Sequence, residues 1–291
     1  MMKKPKITVI GSINMDLVTS TDKFPEQGET IRGTQFQTSP GGKGANQAVA
    51  AARLGANVNM IGLVGEDSFG EQLLTNLHNE DVDVTNVAKQ KGTSTGLANI
   101  VLSEKDNRII IIGGANEYVI PSYLEKCKEA IIESDYVLLQ FEIPKQTIEY
   151  CLEICAEHHI PVIVNPAPPA MKLSKKAWKQ ATYITPNETE KKQLFQNQLD
   201  ERFIITEGKQ GVSYMEDNQP KHVAAHDVEV LDSTGAGDTF NGALAVALAE
   251  GRSVTDAIIF ANGAAALSVQ KIGAQSGMPT KEQVFNFLHK D

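Results

Sequence analysis

Residues 121–165, PSYLEKCKEAIIESDYVLLQFEIPKQTIEYCLEICAEHHIPVIVN, decide the fold class of this 291-residue chain. Apolar side chains recur at helical spacing over 121–132 and 145–158, and short apolar runs occupy 135–140 and 161–165. Helices that alternate with short apolar strands are typical of parallel strands joined by crossover helices. The sequence therefore predicts an α/β protein with a mostly parallel central sheet sandwiched between helices.

The same alternation extends toward both ends of the chain. Further predicted elements are a strand at 6–10, a helix at 43–54, a strand at 57–64 and helices at 69–79, 237–250, 253–270 and 280–289. We find no internal repeat and no low-complexity linker, so we expect one domain over 1–291.

Two extended segments, 14–38 and 93–112, interrupt the alternation. The second segment contains apolar runs at 95–102 and 108–112 around a polar turn and reads as a hairpin. If the two segments pair, they form a small sheet outside the main one, where it could cover the strand ends at which α/β folds bind ligands. We therefore expect a β-sheet lid, whose free edges favour pairing with a second subunit in a homodimer.

Composition restricts which binding partners and which cellular compartment we expect for this protein. The formal net charge of −9 argues against nucleic acid as a partner, because neutralising phosphates needs clustered Lys and Arg. Three cysteines are too few for a disulfide framework and show no C-x-x-C spacing. No stretch approaches the roughly 18 apolar residues of a membrane helix, and the apolar run at 7–10 is short for a signal peptide. We expect a cytoplasmic protein without a membrane partner.

The segment D-S-T-G-A-G-D-T-F at 232–240 carries the clearest chemical signal. It follows a strand-like run at 228–231 and opens a long apolar helix. Glycines at 235 and 237 permit a tight turn, and the free amides and dipole of the helix start suit a transferring phosphoryl group. Asp238 then lies in the first turn, either as a catalytic carboxylate or as an N-cap. The flanking glycines favour catalysis, because a cap does not need them.

A second glycine-rich segment, S-P-G-G-K-G-A-N-Q at 39–47, lies between an extended run and a helix. It is neither a Walker A loop nor a G-x-G-x-x-G loop. Three glycines interleaved with Lys43 and Asn46 favour close approach to a small ligand over an ordinary turn.

Two shorter motifs leave alternatives open. In G-S-I-N-M-D at 11–16, Asn14 and Asp16 lie on one side of an extended chain and suit vicinal hydroxyls, although an Asx turn explains them equally simply. In T-P-N-E-T-E at 185–190, Asn187 and Glu190 fit either a ligand site or a helix capping box.

The motifs G-G-K-G-A-N at 41–46, N-E-T-E at 187–190 and D-S-T-G-A-G-D at 232–238 resemble, in order and spacing, the PfkB family of sugar kinases. The resemblance runs from about residue 6 to 289. Within that family, the chain most resembles the branch that uses ATP to phosphorylate the 5-hydroxyl of D-ribose.

The resemblance implies a role for each matching position. Asp238 is the general base, and the amides of Gly235, Ala236 and Gly237 form the anion hole. The positions that match sugar-binding residues are Asn14, Asp16, Gly42, Lys43, Asn46, Glu142 and Asp238 itself. Those that match ATP-binding residues are Asn187, Thr206, Glu207, Gly208, Lys209, Gln210, Gly211, Gly237 and Asn262.

The resemblance also implies two cations. Mg²⁺ accompanies ATP, and Glu190 helps to place it through water. A monovalent activator, K⁺, matches Asp232, Thr234, Ser268, Lys271 and Gly273, mostly through backbone carbonyls.

Three positions depart from the family pattern. Some relatives place a Ser on the monovalent cation where this chain has Gly277, with Ser276 adjacent, so that ligand stays open. Ser233 replaces the more common Thr. The segment 191–202 is short, which indicates loss of a helix or of residues on the nucleotide side.

Three alternatives to a ribose kinase remain. One is another PfkB kinase, for deoxyribose, fructose or a nucleoside. A second is a sugar-binding regulatory protein without turnover, which the intact Asp238 disfavours. The third, a dehydrogenase, is disfavoured by the missing G-x-G-x-x-G loop.

Overall fold

The computed structural model describes residues 4–103, 106–195 and 200–289. In chain order its elements are β1 (Lys6–Ile10), β2 (Asn14–Ser20), β3 (Gln35–Gly41), α1 (Lys43–Arg53), β4 (Asn57–Gly65), α2 (Ser68–Asn79), β5 (Val82–Asp83), β6 (Val87–Gln90), β7 (Gly96–Ser103), β8 (Asp106–Ile112), a 3₁₀ turn (Gly114–Tyr118), α3 (Pro121–Lys126), α4 (Lys128–Ile132), β9 (Tyr136–Gln140), α5 (Lys145–Glu157), β10 (Val162–Asn165), α6 (Lys175–Gln180), β11 (Tyr183–Ile184), α7 (Glu188–Leu194), β12 (Ile204–Thr206), a second 3₁₀ turn (Gly208–Gln210), β13 (Gly211–Glu216), β14 (Gln219–Ala224), α8 (Ala236–Ala249), α9 (Val254–Ser268), α10 (Ala274–Gly277) and α11 (Lys281–Leu288).

The central sheet has the strand order β11-β10-β9-β1-β4-β5, with β6 also pairing with β4. Every pair in this sheet is parallel. Because parallel strands need crossover helices, the alternation of strands and helices in the sequence translates directly into this sheet. The predicted α/β architecture is confirmed.

Both faces of the central sheet are buried. In β1, Ile7 and Val9 belong to the core beneath α1, α8 and α9, whereas Ile10 belongs to the core beneath α3 to α6. Leu138 and Leu139 in β9 divide in the same way. Successive strand residues point to opposite faces, so an uninterrupted apolar run satisfies two helix layers at once.

The two extended segments form a separate sheet with the order β3-β2-β7-β8. Strand β2 is antiparallel to β3 and parallel to β7, so Asn14 faces Gly41 on one side and Gly96 on the other. The predicted small sheet is therefore present. Strand β8 forms one edge and is exposed along its whole length.

Three sequence predictions need correction or restriction. The run 228–231 does not form a strand; the N–H of Leu231 instead donates to the carbonyl of Val269, the residue that follows α9. The helix expected over 121–132 divides at Cys127 into α3 and α4. The short segment 191–202 includes 196–199, which lie outside the described residues; α7 ends at Leu194.

Within the described ranges, no helix is long and apolar enough to cross a membrane.

Candidate active site

The start of α8 places Asp238 in the interior. Gly235 precedes the helix with a φ of 78°, a left-handed conformation that a residue with a side chain adopts only at a cost. Asp238 lies in the first turn but does not cap it. Its Oδ2 instead accepts a hydrogen bond from Asn46 Nδ2 at 3.0 Å, and its Oδ1 accepts one from Gln47 Nε2 at 3.1 Å. The N-cap explanation of Asp238 is therefore wrong.

The Asp238 carboxyl is buried in an electrostatically mixed environment. Burial raises its pKa above the usual value, and the charge of Glu142 acts in the same direction. Lys43 and the two amide donors, Asn46 and Gln47, oppose that rise because they stabilise the ionised form. A buried carboxylate held by donors and one cation can accept a proton, since its charge is poorly solvated by water.

Lys43 lies among four carboxyl groups. Burial disfavours its charged form, but Asp238, Glu142, Glu190 and Asp16 outweigh this, and the pKa of Lys43 is raised. Burial, together with Glu142 and Asp238, raises the pKa of Asp16 to about 7. The pKa of Glu190 is also raised, chiefly by burial. The site therefore concentrates negative charge around one ammonium group.

The start of α1 joins this cluster to the first strand. Gly42 precedes the helix with a φ of 89°, and a Cβ on it would lie 2.7 Å from the Asn14 backbone nitrogen. The first amide of the helix, Lys43 N–H, donates to Glu142 Oε2 at 3.1 Å. The same carboxylate oxygen accepts from the Ser12 hydroxyl. Glu142 thus neutralises the positive end of α1.

Asn14 is also tightly held. Its Oδ1 accepts a hydrogen bond from Asn116 Nδ2 at 2.7 Å, and Asn116 Oδ1 in turn accepts from the Ile13 amide at 3.0 Å. Asn14 and Asp16 lie within β2 and not in a turn, so the Asx-turn explanation of this motif is wrong. With α1 and Asp238, they bring the residues predicted to bind sugar to the point where β2 and α1 begin.

A cleft of 740 Å³ lies on the other side of the α8 start. Seven of the residues predicted to bind ATP line it: Asn187, Thr206, Gly208, Lys209, Gly211, Gly237 and Asn262. Glu207 and Gln210 are not among its lining residues, and the Glu207 carboxylate instead accepts from the Ser213 hydroxyl at 2.7 Å. Val228, Val230 and Val269 supply apolar walls that the sequence analysis did not assign.

Asn187 and Glu190 form the capping box that the sequence allowed. Asn187 Oδ1 accepts from the Glu190 amide at 2.8 Å, and Glu190 Oε2 accepts from the Asn187 amide at 2.9 Å. The cap does not exclude a second role, because Asn187 also lines the cleft and each carboxylate oxygen keeps a free lone pair.

The loop around Asp232 is rich in oxygen atoms. Asp232 Oδ1 accepts from the Thr234 amide at 2.9 Å, and Oδ2 accepts from the Gly273 amide at 2.8 Å. Burial acts to raise the pKa of Asp232, but hydrogen bonds from Thr234 and Gly273 outweigh it and lower that pKa. A carboxylate that stays ionised is an oxygen ligand of the kind that hard cations prefer.

The other positions that the sequence analysis considered for the monovalent cation differ in their surroundings. A Cβ on Gly277 would lie 2.1 Å from the Ser268 carbonyl oxygen, so a side chain there has no room in this conformation. The neighbouring Ser276 hydroxyl donates to the Gly273 carbonyl at 3.0 Å. Lys271 is exposed. Among the residues described, no group of three or more His, Cys, Asp or Glu side chains is arranged to hold a metal ion.

The sequence analysis assigned no role to Gln47, which ends the glycine-rich segment 39–47, or to Asn165, which ends the stretch 121–165. Both are buried and polar, and Gln47 contacts Asp238 directly. Asn165 ends β10, where a polar residue after an apolar run was an available signal.

The chain matches the model of the pfkB family of carbohydrate kinases over residues 4–281. It therefore belongs to that family. It is 49% identical over 290 residues to the ribokinase of Bacillus subtilis (strain 168), covering 97% of this chain and 99% of the relative. It is 35% identical over 300 residues to the deoxyribokinase of Salmonella typhi, covering 97% and 98%.

Solved structures agree with the sequence comparison. The structure of Arabidopsis thaliana ribokinase complexed with ribose and ATP superposes with a TM-score of 0.91 at 30% identity, covering 99% of this chain and 100% of that one. The ribokinase of Thermotoga maritima gives a TM-score of 0.87 at 36% identity, covering 98% and 99%. The fold is ribokinase-like.

Proposed function

We propose that this chain transfers the γ-phosphoryl group of ATP to the 5-hydroxyl of D-ribose, giving D-ribose 5-phosphate and ADP. The observation that carries the proposal is the buried Asp238 carboxylate, which lies in the first turn of α8 between the polar cluster around Lys43 and the 740 Å³ cleft. Relatives named ribokinase, and a neighbouring structure of ribokinase with ribose and ATP, support the choice of substrates.

In the proposed reaction, Asp238 accepts the proton of the 5-hydroxyl as that oxygen attacks the γ-phosphorus. The bond from phosphorus to the bridging β–γ oxygen breaks, and ADP leaves with its electron pair. A positioned base contributes about 10²- to 10⁴-fold. The amides of Gly235, Ala236 and Gly237, at the positive end of α8, face the charge that develops on the phosphoryl oxygens. The Ala236 amide donates to the Ser233 carbonyl at 3.3 Å.

Sugar recognition is assigned to Asn14, Asp16, Gly42, Lys43, Asn46 and Glu142. These groups offer both donors and acceptors in a largely buried setting. A sugar that lacks a matching hydroxyl leaves such groups without partners, which is a strong basis for discrimination. The deoxyribokinase relative makes 2-deoxyribose the main competing substrate.

ATP is assigned to the cleft, with Asn187, Asn262 and the Thr206–Gly211 turn around the nucleotide. Glu190 would help to hold the Mg²⁺ that accompanies ATP, through water, and the ion would supply positive charge to the phosphates. The Asp232 loop, with Thr234 and the carbonyls of Ser268, Lys271 and Gly273, would hold K⁺, whose charge would stabilise the loop that precedes α8.

The four-stranded sheet is proposed to act as a lid over the sugar and as the surface of a homodimer. Its edge strand β8 carries Ile109 and Ile110 with 51% and 63% of their surface exposed. An exposed apolar edge strand invites pairing with another chain, and a second copy would cover it. The cytoplasm remains our prediction for the compartment.

The decisive experiment measures ADP release with D-ribose, 2-deoxyribose, fructose and adenosine for the wild type, Asp238→Asn and Asp217→Asn. Asp217 is the matched control, an exposed carboxylate in the turn between β13 and β14 that does not line the cleft. We expect ribose to be preferred, Asp238→Asn to lose about 10²- to 10⁴-fold in kcat, and the control to stay near wild type. Turnover that persists in Asp238→Asn would remove Asp238 as the base. Ribose binding without turnover in the wild type would support the binding-protein alternative.

A further inference from the structure

The Asp238 carboxylate is held from behind by a side chain to which the mechanism has assigned no role. We infer that Gln47 is a positioning residue, whose amide fixes the Asp238 carboxylate in the orientation from which it accepts the substrate proton. This inference rests on the proposed role of Asp238 as the base. Gln47 has no exposed surface, so it acts through Asp238 and does not touch the sugar.

The amide of Gln47 is itself held in one orientation. Its Nε2 donates to Asp238 Oδ1 at 3.1 Å and to Asn165 Oδ1 at 3.3 Å. Its Oε1 accepts from Gln140 Nε2 at 2.7 Å. Because Gln47 Oε1 already accepts from Gln140, rotating the amide by 180° would place the Gln47 NH₂ group against the Gln140 NH₂ group. It would also remove the hydrogen bond to Asp238. Gln47 therefore presents an N–H to the carboxylate in a fixed direction.

The two residues that hold Gln47 belong to the central sheet. Gln140 is the last residue of β9 and Asn165 is the last residue of β10, and the two are register partners in the central sheet. Asn165 is held further by its Nδ2, which donates to the Thr185 carbonyl at 3.1 Å. The central sheet, and not the four-stranded sheet, therefore fixes the orientation of the proposed base.

Asn46 donates to the other oxygen of the Asp238 carboxylate, but it is also assigned to sugar binding. It is oriented by Gln275, whose Nε2 donates to Asn46 Oδ1 at 3.0 Å, and it is among the residues assigned to the sugar. If the sugar engages Asn46 during the reaction, Gln47 remains as the contact that keeps Asp238 in place. Hydrogen bonds to a charged group are stronger than those between neutral groups, so one such contact suffices to select a carboxylate rotamer.

An isosteric substitution tests the inference. Gln47→Met keeps the volume and removes the donor, while Asp238 still faces Lys43, Glu142, Asp16 and Glu190. We expect kcat for ribose to fall roughly 10- to 100-fold, a part of what a positioned base contributes, with KM nearly unchanged. Loss of a donor to the ionised form also moves the acid limb of the kcat–pH profile upward by about one pH unit.

A second variant and a control separate positioning from packing. Gln47→Glu places a second carboxyl against Asp238, and we expect its acid limb to lie above that of Gln47→Met because like charges oppose ionisation. Ser134→Ala removes buried hydrogen bonds to the Thr8 hydroxyl and the Ala130 carbonyl before the start of β9, at the strand end opposite Gln140, and we expect lower thermal stability with an unmoved acid limb.

Two results would overturn the inference. One is a Gln47→Met enzyme with wild-type kcat and an unmoved acid limb. The other is a fall in kcat with an unmoved limb in both Gln47 variants, because this is what a merely structural glutamine would give. Failure of the proposed function is read separately, from full turnover in Asp238→Asn.

Discussion

Asp16→Asn should remove a pH-dependent cost that the sugar site imposes on the fold. Burial and the neighbouring charges of Glu142 and Asp238 raise the pKa of Asp16 from 3.8 to about 7. Because the folded-state pKa lies above the unfolded-state value, the folded chain binds this proton more tightly. The contribution of this group is therefore most favourable below about pH 4 and is lost as the pH rises through 7.

The size of this effect follows from the interval between the two pKa values. The interval from 3.8 to about 7 spans roughly three pH units, each worth about 1.4 kcal/mol. About two of these units lie above pH 5, so we expect roughly 2–3 kcal/mol between pH 5 and pH 8. Asparagine cannot ionise, so Asp16→Asn escapes this loss, although it should bind ribose more weakly.

Urea unfolding at pH 5, 6.5 and 8, without sugar, measures the effect as the difference in unfolding free energy between Asp16→Asn and the wild type. We expect this difference to move in favour of the variant by roughly 2–3 kcal/mol over the range. Asp22→Asn is the control, because Asp22 is exposed and outside the cluster. A difference that stays constant from pH 5 to pH 8 would refute the reasoning.

Two other changes test the cation and dimer proposals. Glu190→Gln keeps the volume of the side chain and removes its charge, so we expect about 10- to 100-fold weaker apparent Mg²⁺ affinity in a titration of ADP release, with the ribose KM retained; an unchanged titration would count against Glu190. Ile110→Lys places a charge on the exposed edge strand β8, so we expect light scattering to show a shift from two chains to one; a wild type that is already monomeric would end the dimer proposal.

The sequence predicted the fold wherever local pattern and global topology agree. The apolar runs of β9 and β10 are uninterrupted because both faces are buried, and that pattern is visible without the structure. The run 228–231 has similar apolar content but forms no strand. Strand formation depends on a neighbouring strand with which to pair, and the four residues 228–231 do not by themselves indicate whether one is available.

The sequence predicted the individual motifs of the site, but not the hydrogen bonds between residues that are distant along the chain. Glycines around Asp238 identified the helix start, yet they left open whether the carboxylate caps that helix. What decides the matter is a contact with Gln47, which is 191 residues away along the chain. Gln47 looks in sequence like an ordinary polar residue of α1, because its partners Gln140 and Asn165 come from two other elements.

The helices α1 and α8 begin close together, yet their first amides are satisfied differently. At α1, the first three amides already have partners: Lys43 N–H donates to the Glu142 carboxylate, Gly44 N–H to the Ser12 hydroxyl and Ala45 N–H to the Ser12 carbonyl. At α8, the residue before the helix is Gly235, no side chain caps the helix, and the Ala236 amide donates only to the Ser233 carbonyl within its own turn. Under the proposed function, this difference leaves the α8 start to the anionic phosphoryl group and directs that group away from the α1 start, where the neutral sugar is proposed to bind.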